Sequence, residues 1–211
     1  MRRLRPILLL AFAGVVQAQT WEIGGAGGAG FAGGPSVSGP AGQAGAGLTH
    51  SPAAGGHLSQ VLNRRWSGEI RYTFRLSDLA LSSGGARTTF GGNSHAVHYD
   101  MLYHTRGEGS PVRPFLAGGA GIRLYRGTGE ESAYQPLQEF ALLTKTQEWK
   151  PLLNFGAGVK YKLSGPLVLR IEARYYVTPF PTKVITPALG ASHSGWVHEI
   201  VPLVGISYIF E

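Results

Sequence analysis

Eight stretches of the sequence alternate apolar with polar or small residues, and no other pattern constrains the fold as strongly. They lie at 20–32, 50–62, 67–80, 94–106, 113–126, 149–163, 167–178 and 196–210, the first two being the least regular. A period of two sends successive side chains to opposite faces of a β-strand, so each stretch carries one apolar face. Each also reaches the roughly 9–11 residues that a strand tilted across a bilayer needs. The links between them alternate in length: 63–66, 107–112 and 164–166 are short, whereas 33–49, 81–93, 127–148 and 179–195 are long. Tight turns at one end and long loops at the other describe an up-and-down antiparallel barrel. An even number of strands returns both termini to the end with the tight turns.

Periodicity alone does not separate a membrane barrel from a soluble one, because either buries one face of each strand. Composition and placement separate them. Only 15% of the residues are charged, against about 25% in ordinary globular chains. The apolar faces run as continuous bands, for example Ile70, Tyr72, Phe74 and Leu76, or Leu153, Phe155, Val159 and Tyr161. The opposite faces mix charges with small residues such as Ala117, Gly119, Gly121, Gly156 and Gly158, which suit a narrow, crowded interior. Aromatic residues gather at strand ends: Trp21, Trp66 and Tyr208 at the short-turn end, Trp149 and Trp196 at the long-loop end. Rings placed this way form girdles at a lipid–water boundary.

With the apolar bands outward, the inward charges are Glu69, Arg71, Arg75, Asp100, Arg123, Lys160, Arg170, Glu172, Arg174 and Glu199, accompanied by Thr73, His98, His104 and Asn154. An eight-stranded barrel encloses just enough room for its own side chains. Charges held there must pair, because an isolated buried ion costs several kcal/mol. The expectation is a plugged barrel with a structural interior ion-pair network rather than an open channel.

The two ends of the chain point to one compartment. Residues 1–5 are a basic head, 6–16 are apolar but only about half of the ~20 residues a spanning helix needs, and Val16-Gln17-Ala18 is a small-x-small cleavage site. This predicts a signal peptide at 1–18 and a barrel domain at 19–211. Loss of Arg2, Arg3 and Arg5 with the leader lowers the net charge from +7 to +4. No basic stripe with interleaved aromatics remains, which argues against nucleic acid as a partner. The chain has no cysteine, which excludes a disulfide scaffold and thiolate metal sites.

At the other end, Trp196, Ile200, Pro202, Val204, Ile206, Tyr208 and Phe210 share one face, and Glu199, Gly205 and Ser207 the other. Gly205, Tyr208 and Phe210 resemble the C-terminal assembly signal of bacterial outer-membrane barrels; Leu203 in place of a polar residue and the extra Glu211 depart from it. As architecture, 19–211 resembles the small outer-membrane β-barrel family typified by the OmpA transmembrane domain and its OmpW- and Opa-like relatives. The resemblance implies an all-β fold: an eight-stranded antiparallel up-and-down transmembrane β-barrel with short periplasmic turns and long extracellular loops. It also implies insertion into a Gram-negative outer membrane by the barrel-assembly machinery, and contact with outer-membrane lipid and lipopolysaccharide. No room is expected for a peptidoglycan-binding domain after Phe210.

Patterns that would carry chemistry are weak. The run from Gly25 to Gly30 spells the dinucleotide fingerprint, but no helix follows and no acid stands about 20 residues on, so a glycine-rich strand or loop is expected. Ser94, His95, His98, Asp100 and His104 hold the residue types of a serine hydrolase, which needs a base within hydrogen-bond reach of its nucleophile. His98, Asp100 and His104 share the inward face, where a neutral polar network explains them, and their spacing is too loose for a metal set. Pro136, Leu137, Glu139, Phe140 and Ala141 suggest one or two helical turns in a lid over the mouth. Pro179, Pro181 and Pro187 are expected to stiffen the last long loop without helix or strand.

No catalytic residue, cofactor or metal ligand is therefore assigned. The leading expectation is a non-enzymatic barrel that supports the envelope or presents its loops to an extracellular ligand. The alternatives are a narrow pore or transporter for small or hydrophobic solutes, a lipid-modifying enzyme acting through Ser94 or His98, and a secreted soluble β protein.

Overall fold

The computed structural model describes residues 20–211, so the leader expected at 1–18 lies outside the described residues. The chain runs up and down through eight barrel strands: β1 (Trp21–Gly33), β4 (Ser51–Val61), β5 (Trp66–Arg75), β8 (Gly92–His104), β9 (Val112–Gly127), β11 (Gln147–Ser164), β12 (Leu167–Pro179) and β15 (Trp196–Phe210). Each pairs antiparallel with its neighbour, and β1 meets β15 to close the wall, from Trp21 opposite Phe210 to Gly33 opposite His198. All eight alternating stretches coincide with a barrel strand. The glycine-rich Gly25–Gly30 run lies inside β1, and no helix follows it.

The barrel is inverted relative to a soluble one. Leu116, Phe155 and Val204 on its outside are 58%, 57% and 56% exposed, while Arg71, Arg170 and Arg174 on its inside are at most 1% exposed. A soluble monomer does not present a continuous apolar band of this kind to water. The band, with Trp66 and Tyr208 exposed near one rim and Trp149 and Trp196 near the other, is the surface of a transmembrane β-barrel.

The long loops carry more structure than the alternation predicts. β2 (Ser36–Gly39), β3 (Gly42–Leu48), β6 (Leu79–Ser83), β7 (Ala86–Phe90) and β14 (Ser192–Ser194) form a second sheet in the order β14-β2-β3-β6-β7. β10 (Ala141–Leu143) and β13 (Ile185–Pro187) form a third. The structure departs from the sequence expectations at three places. The stretch at 67–80 ends as barrel at Arg75, and its last residues begin β6. The proline-containing loop at 179–195 holds two short strands rather than none. The 136–141 segment is a hydrogen-bonded turn, not a helix: Leu137 has a φ of +64°, in the left-handed region that an α-helix cannot continue through. In the β6–β7 hairpin, Gly84 and Gly85 have φ of +57° and +84°. Two consecutive positive φ values make the tight turn whose twist matches the flanking strands, and glycine adopts them without steric cost.

The largest apolar cluster of the described chain sits at the mouth of the barrel, and smaller ones lie inside it. Val37, Leu48, Leu79, Leu81 and Phe90 from the five-stranded sheet meet Ala141, Leu143, Val184 and Ile185, with Tyr125 and Val197 of the barrel wall beneath them. The outer hairpins thereby cap the mouth with a fully buried hydrophobic cluster.

Candidate functional site: the barrel interior and its cap

Strand alternation delivers the interior residues. Along β5, Glu69, Arg71, Thr73 and Arg75 fall on the buried side while Ile70 and Tyr72 face out. β12 does the same, with Arg170, Glu172 and Arg174 buried and Ile171 exposed. Small residues opposite these long side chains make the space. At Gly156 a Cβ would come within 2.6 Å of Arg174 Cδ, and at Gly158 within 2.7 Å of Glu172 Cβ. A side chain at either position would collide with the network, which explains glycine there.

The inward charges divide into two groups. In the larger, Glu69 is the hub. Its Oε1 accepts from Arg71 Nη2 at 2.9 Å and Arg174 Nη2 at 3.0 Å, and its Oε2 from Arg170 Nη1 at 2.6 Å and Ser59 Oγ at 2.7 Å. Glu172 bridges the same cations, 2.7 Å from Arg71 Nη2 and 2.9 Å from Arg174 Nε. Arg174 Nη1 donates to Asp100 Oδ2 at 2.8 Å, and Asp100 Oδ1 lies 2.8 Å from His98 Nδ1 and accepts from Asn154 Nδ2 at 2.7 Å. Toward the short-turn end, Lys160 donates to Glu22 at 2.6 Å, and Ser207 donates to the same carboxylate at 2.7 Å. The Arg170 guanidinium also lies 4.8 Å from the centre of the Phe115 ring, a cation–π distance. Four cations, Arg71, Lys160, Arg170 and Arg174, thus share four acids, Glu22, Glu69, Asp100 and Glu172.

The second group lies nearer the outer mouth. Arg75 and Arg123 both donate to Glu199, and Ser94 accepts from Arg123 Nη2 at 2.9 Å. Arg75 is further held by the Gly30 carbonyl at 3.0 Å and Ser51 Oγ at 2.9 Å. Between the two groups runs a buried, mainly apolar layer of Ala53, Ala96, Leu152, Tyr176, Val201 and Leu203, in which the Thr73 hydroxyl of β5 lies 3.4 Å from that of Tyr176. On β15, Val201 and Leu203 separate Glu199 from Ser207; on β8, Ala96 separates Ser94 from His98. From the short-turn end to the long-loop end, the interior is a charge-balanced network, a mainly apolar layer, a three-residue ion cluster with one cation in excess, and the apolar cap.

The structure places all ten charged residues expected inside in one or other group. It adds Glu22, His57, Ser59 and Tyr176, which the sequence reading does not include, and buries Ser207 on the face it shares with Glu199. Glu22 has the right parity in β1, but it is a lone acid among glycines and alanines and carries little periodic signal. Leu203, at odds with the polar residue of the assembly signal, is buried in the apolar layer. The hydrolase residues do not assemble. Ser94 is buried and turned toward Arg123, whereas its neighbour His95 points outward, with Nδ1 2.8 Å from the Tyr72 hydroxyl. His104 lies 3.2 Å from Ser67 Oγ, away from the His98–Asp100 pair.

No protein-family model matches the chain, and no curated protein matches it. Solved structures do match in fold. Outer membrane protein OprG of Pseudomonas aeruginosa aligns over 90% of this chain and 96% of its own with a TM-score of 0.60 at 13% identity. Neisserial surface protein A aligns over 91% of this chain and 99% of its own, TM-score 0.56, at 13% identity. A major outer membrane protein of Thermus thermophilus aligns over 92% of this chain and 100% of its own, TM-score 0.52, at 17% identity. The fold is that of the small eight-stranded outer-membrane barrels.

Proposed function

We propose that the protein is a non-enzymatic outer-membrane barrel, closed to solutes, that acts through its structured extracellular cap. The single observation that carries this reading is the stacking of four layers across the interior, two of them apolar. A conduit needs polar groups free to exchange with a passing solute; here the central guanidinium groups are shared among carboxylates at 2.6–3.1 Å. Removing any one exposes an unpaired buried charge, so the network resists opening. The opposed directions of Ser94 and His95 support a role without catalysis. The closure of β15 on β1, with Gly205, Tyr208 and Phe210 in the closing strand, supports assembly by the barrel-assembly machinery. The cap, built from all four long loops, is the surface offered to an extracellular ligand.

Planar-bilayer recording of the purified chain tests closure. The expected result is a baseline without stepwise conductance. Steady unit steps would favour the narrow pore for small solutes instead. Replacing Phe90 with alanine removes a ring from the cap cluster. Limited proteolysis of that variant is expected to cleave the outer loops faster while the membrane barrel stays intact, because the cap core is separate from the barrel interior.

A further inference from the structure

At the short-turn end the ladder sets two cations side by side. Arg113, near the start of β9, is the direct partner of Lys160 in β11, on the inward face of both strands. Like charges directly opposite each other across a ladder repel, so each needs a counter-charge. Lys160 has one, donating to Glu22 at 2.6 Å. Arg113 does not: its Nε and Nη2 are buried without a hydrogen-bond partner, and it forms no ion pair among the described residues. These two donors lie on one edge of the guanidinium, the edge that Arg71 turns to Glu69 at 3.0 and 2.9 Å. A buried donor edge of this kind costs free energy until an acceptor meets it.

Arg113 lines a cleft of about 60 Å³ at the short-turn mouth, on the inner side of the wall, where membrane lipid does not reach. Lys160 and Lys162 line it too, against the acids Glu22 and Glu108, so one positive charge is in excess. Neither acid serves Arg113: Glu22 is taken by Lys160 and by Ser207 at 2.7 Å, and Glu108 is exposed in the β8–β9 turn. The rest of the wall is apolar. Val168 stands across the ladder from Lys162 on one side and Ser207 on the other, with Ile209 and Pro111 completing the lining. The buried Lys160–Glu22 pair forms the floor.

We infer that this cleft binds a short-chain carboxylate, its head on the free edge of Arg113 and its aliphatic stem against Val168 and Ile209. A guanidinium edge offers a carboxylate two parallel hydrogen bonds, and Lys162 at the rim adds a point charge. At roughly 10–15 Å³ for each water-sized group, the cleft has room for about four to six such groups, the heavy atoms of an acid of two to four carbons. Inorganic phosphate, which wants donors on every side, meets Val168, Ile209 and Pro111 instead. The bound acid balances the charge in excess. The cleft ends on an ion pair, so it is a binding site and not the entrance to a conduit.

The test places the folded barrel in nanodiscs of deuterated phosphatidylcholine and reads sodium butyrate binding by saturation-transfer NMR, with protein-free nanodiscs as the baseline. Wild type is expected to give a saturable butyrate signal, and the Arg113→Met variant to bind roughly 10-fold more weakly or worse. An Arg64→Met variant, which removes a charge at the same end but outside the cleft, is expected to bind as wild type. Butyramide, with the same stem and no charge, and inorganic phosphate are expected not to displace butyrate. Equal affinity in the Arg113→Met variant and wild type, or displacement by either competitor at equal concentration, would overturn the inference. Should the Arg113→Met variant fail to form a barrel by unheated gel mobility, wild type alone decides: a signal from butyrate and none from butyramide upholds the inference, and equal signals overturn it.

Discussion

Replacing Glu69 with alanine is expected to destabilise the folded barrel by about 3–5 kcal/mol, the usual cost of removing one partner from a buried ionic group. Glu69 is completely buried and takes hydrogen bonds from three guanidinium groups, those of Arg71, Arg170 and Arg174. Without it these cations face one another with Glu172 as their main remaining counter-charge, and water reaches them poorly through the layers above. Urea unfolding in lipid vesicles, followed by gel mobility, measures the change. The exposed acid Glu108 provides the reference: its alanine variant is expected to fall within about 0.5 kcal/mol of wild type. A Glu69 variant equally close to wild type would mean that the network contributes nothing to the fold.

The second large effect belongs to the outer face. Arginine in place of Ile171 or Val204 is expected to cost about 2–4 kcal/mol where the strand crosses the bilayer midplane. The two residues are partners across the β12–β15 ladder and are 54% and 56% exposed, so in water a long charged side chain would be accepted there without strain. Only a hydrocarbon surrounding makes the substitution expensive. The contrast with the native chain is direct: Arg170 and Glu172 flank Ile171 and are accommodated because a step of one residue turns them inward. Unfolding of both variants in the same vesicles checks this, and a cost below about 1 kcal/mol at both positions would place the face in water.

Strand parity makes the barrel legible from the sequence. Where large apolar residues alternate with charges, as at Ile70 and Arg71 or Ile171 and Glu172, the two faces differ so strongly that direction, register and interior follow together. The outer sheet is not legible for the opposite reason. β3 alternates glycine with alanine, and Ala44 and Ala46 become an apolar face only when Leu79 and Leu81 of β6 lie beside them. The alternation runs on past the end of β5 because the chain beyond Arg75 keeps an apolar residue at Leu76 before it turns into another sheet. The apolar layer inside the barrel is hidden by its location. Val201 and Leu203 interrupt a polar face, and Tyr176 follows Tyr175 directly, so only one of the two rings can face lipid. The 136–141 spacing suggests a helix, but the left-handed Leu137 that closes the turn leaves no mark in the periodicity.

A closed barrel with its charges inside and lipid outside has a signature in detergent. The decisive measurement is SDS gel mobility of the chain taken from the outer-membrane fraction, unheated against boiled. A closed barrel locked by its ion pairs is predicted to resist SDS until boiled and to shift in mobility between the two samples. A chain that migrates identically in both, and that is recovered in the soluble fraction without detergent, would contradict the inverted barrel and its interior network together.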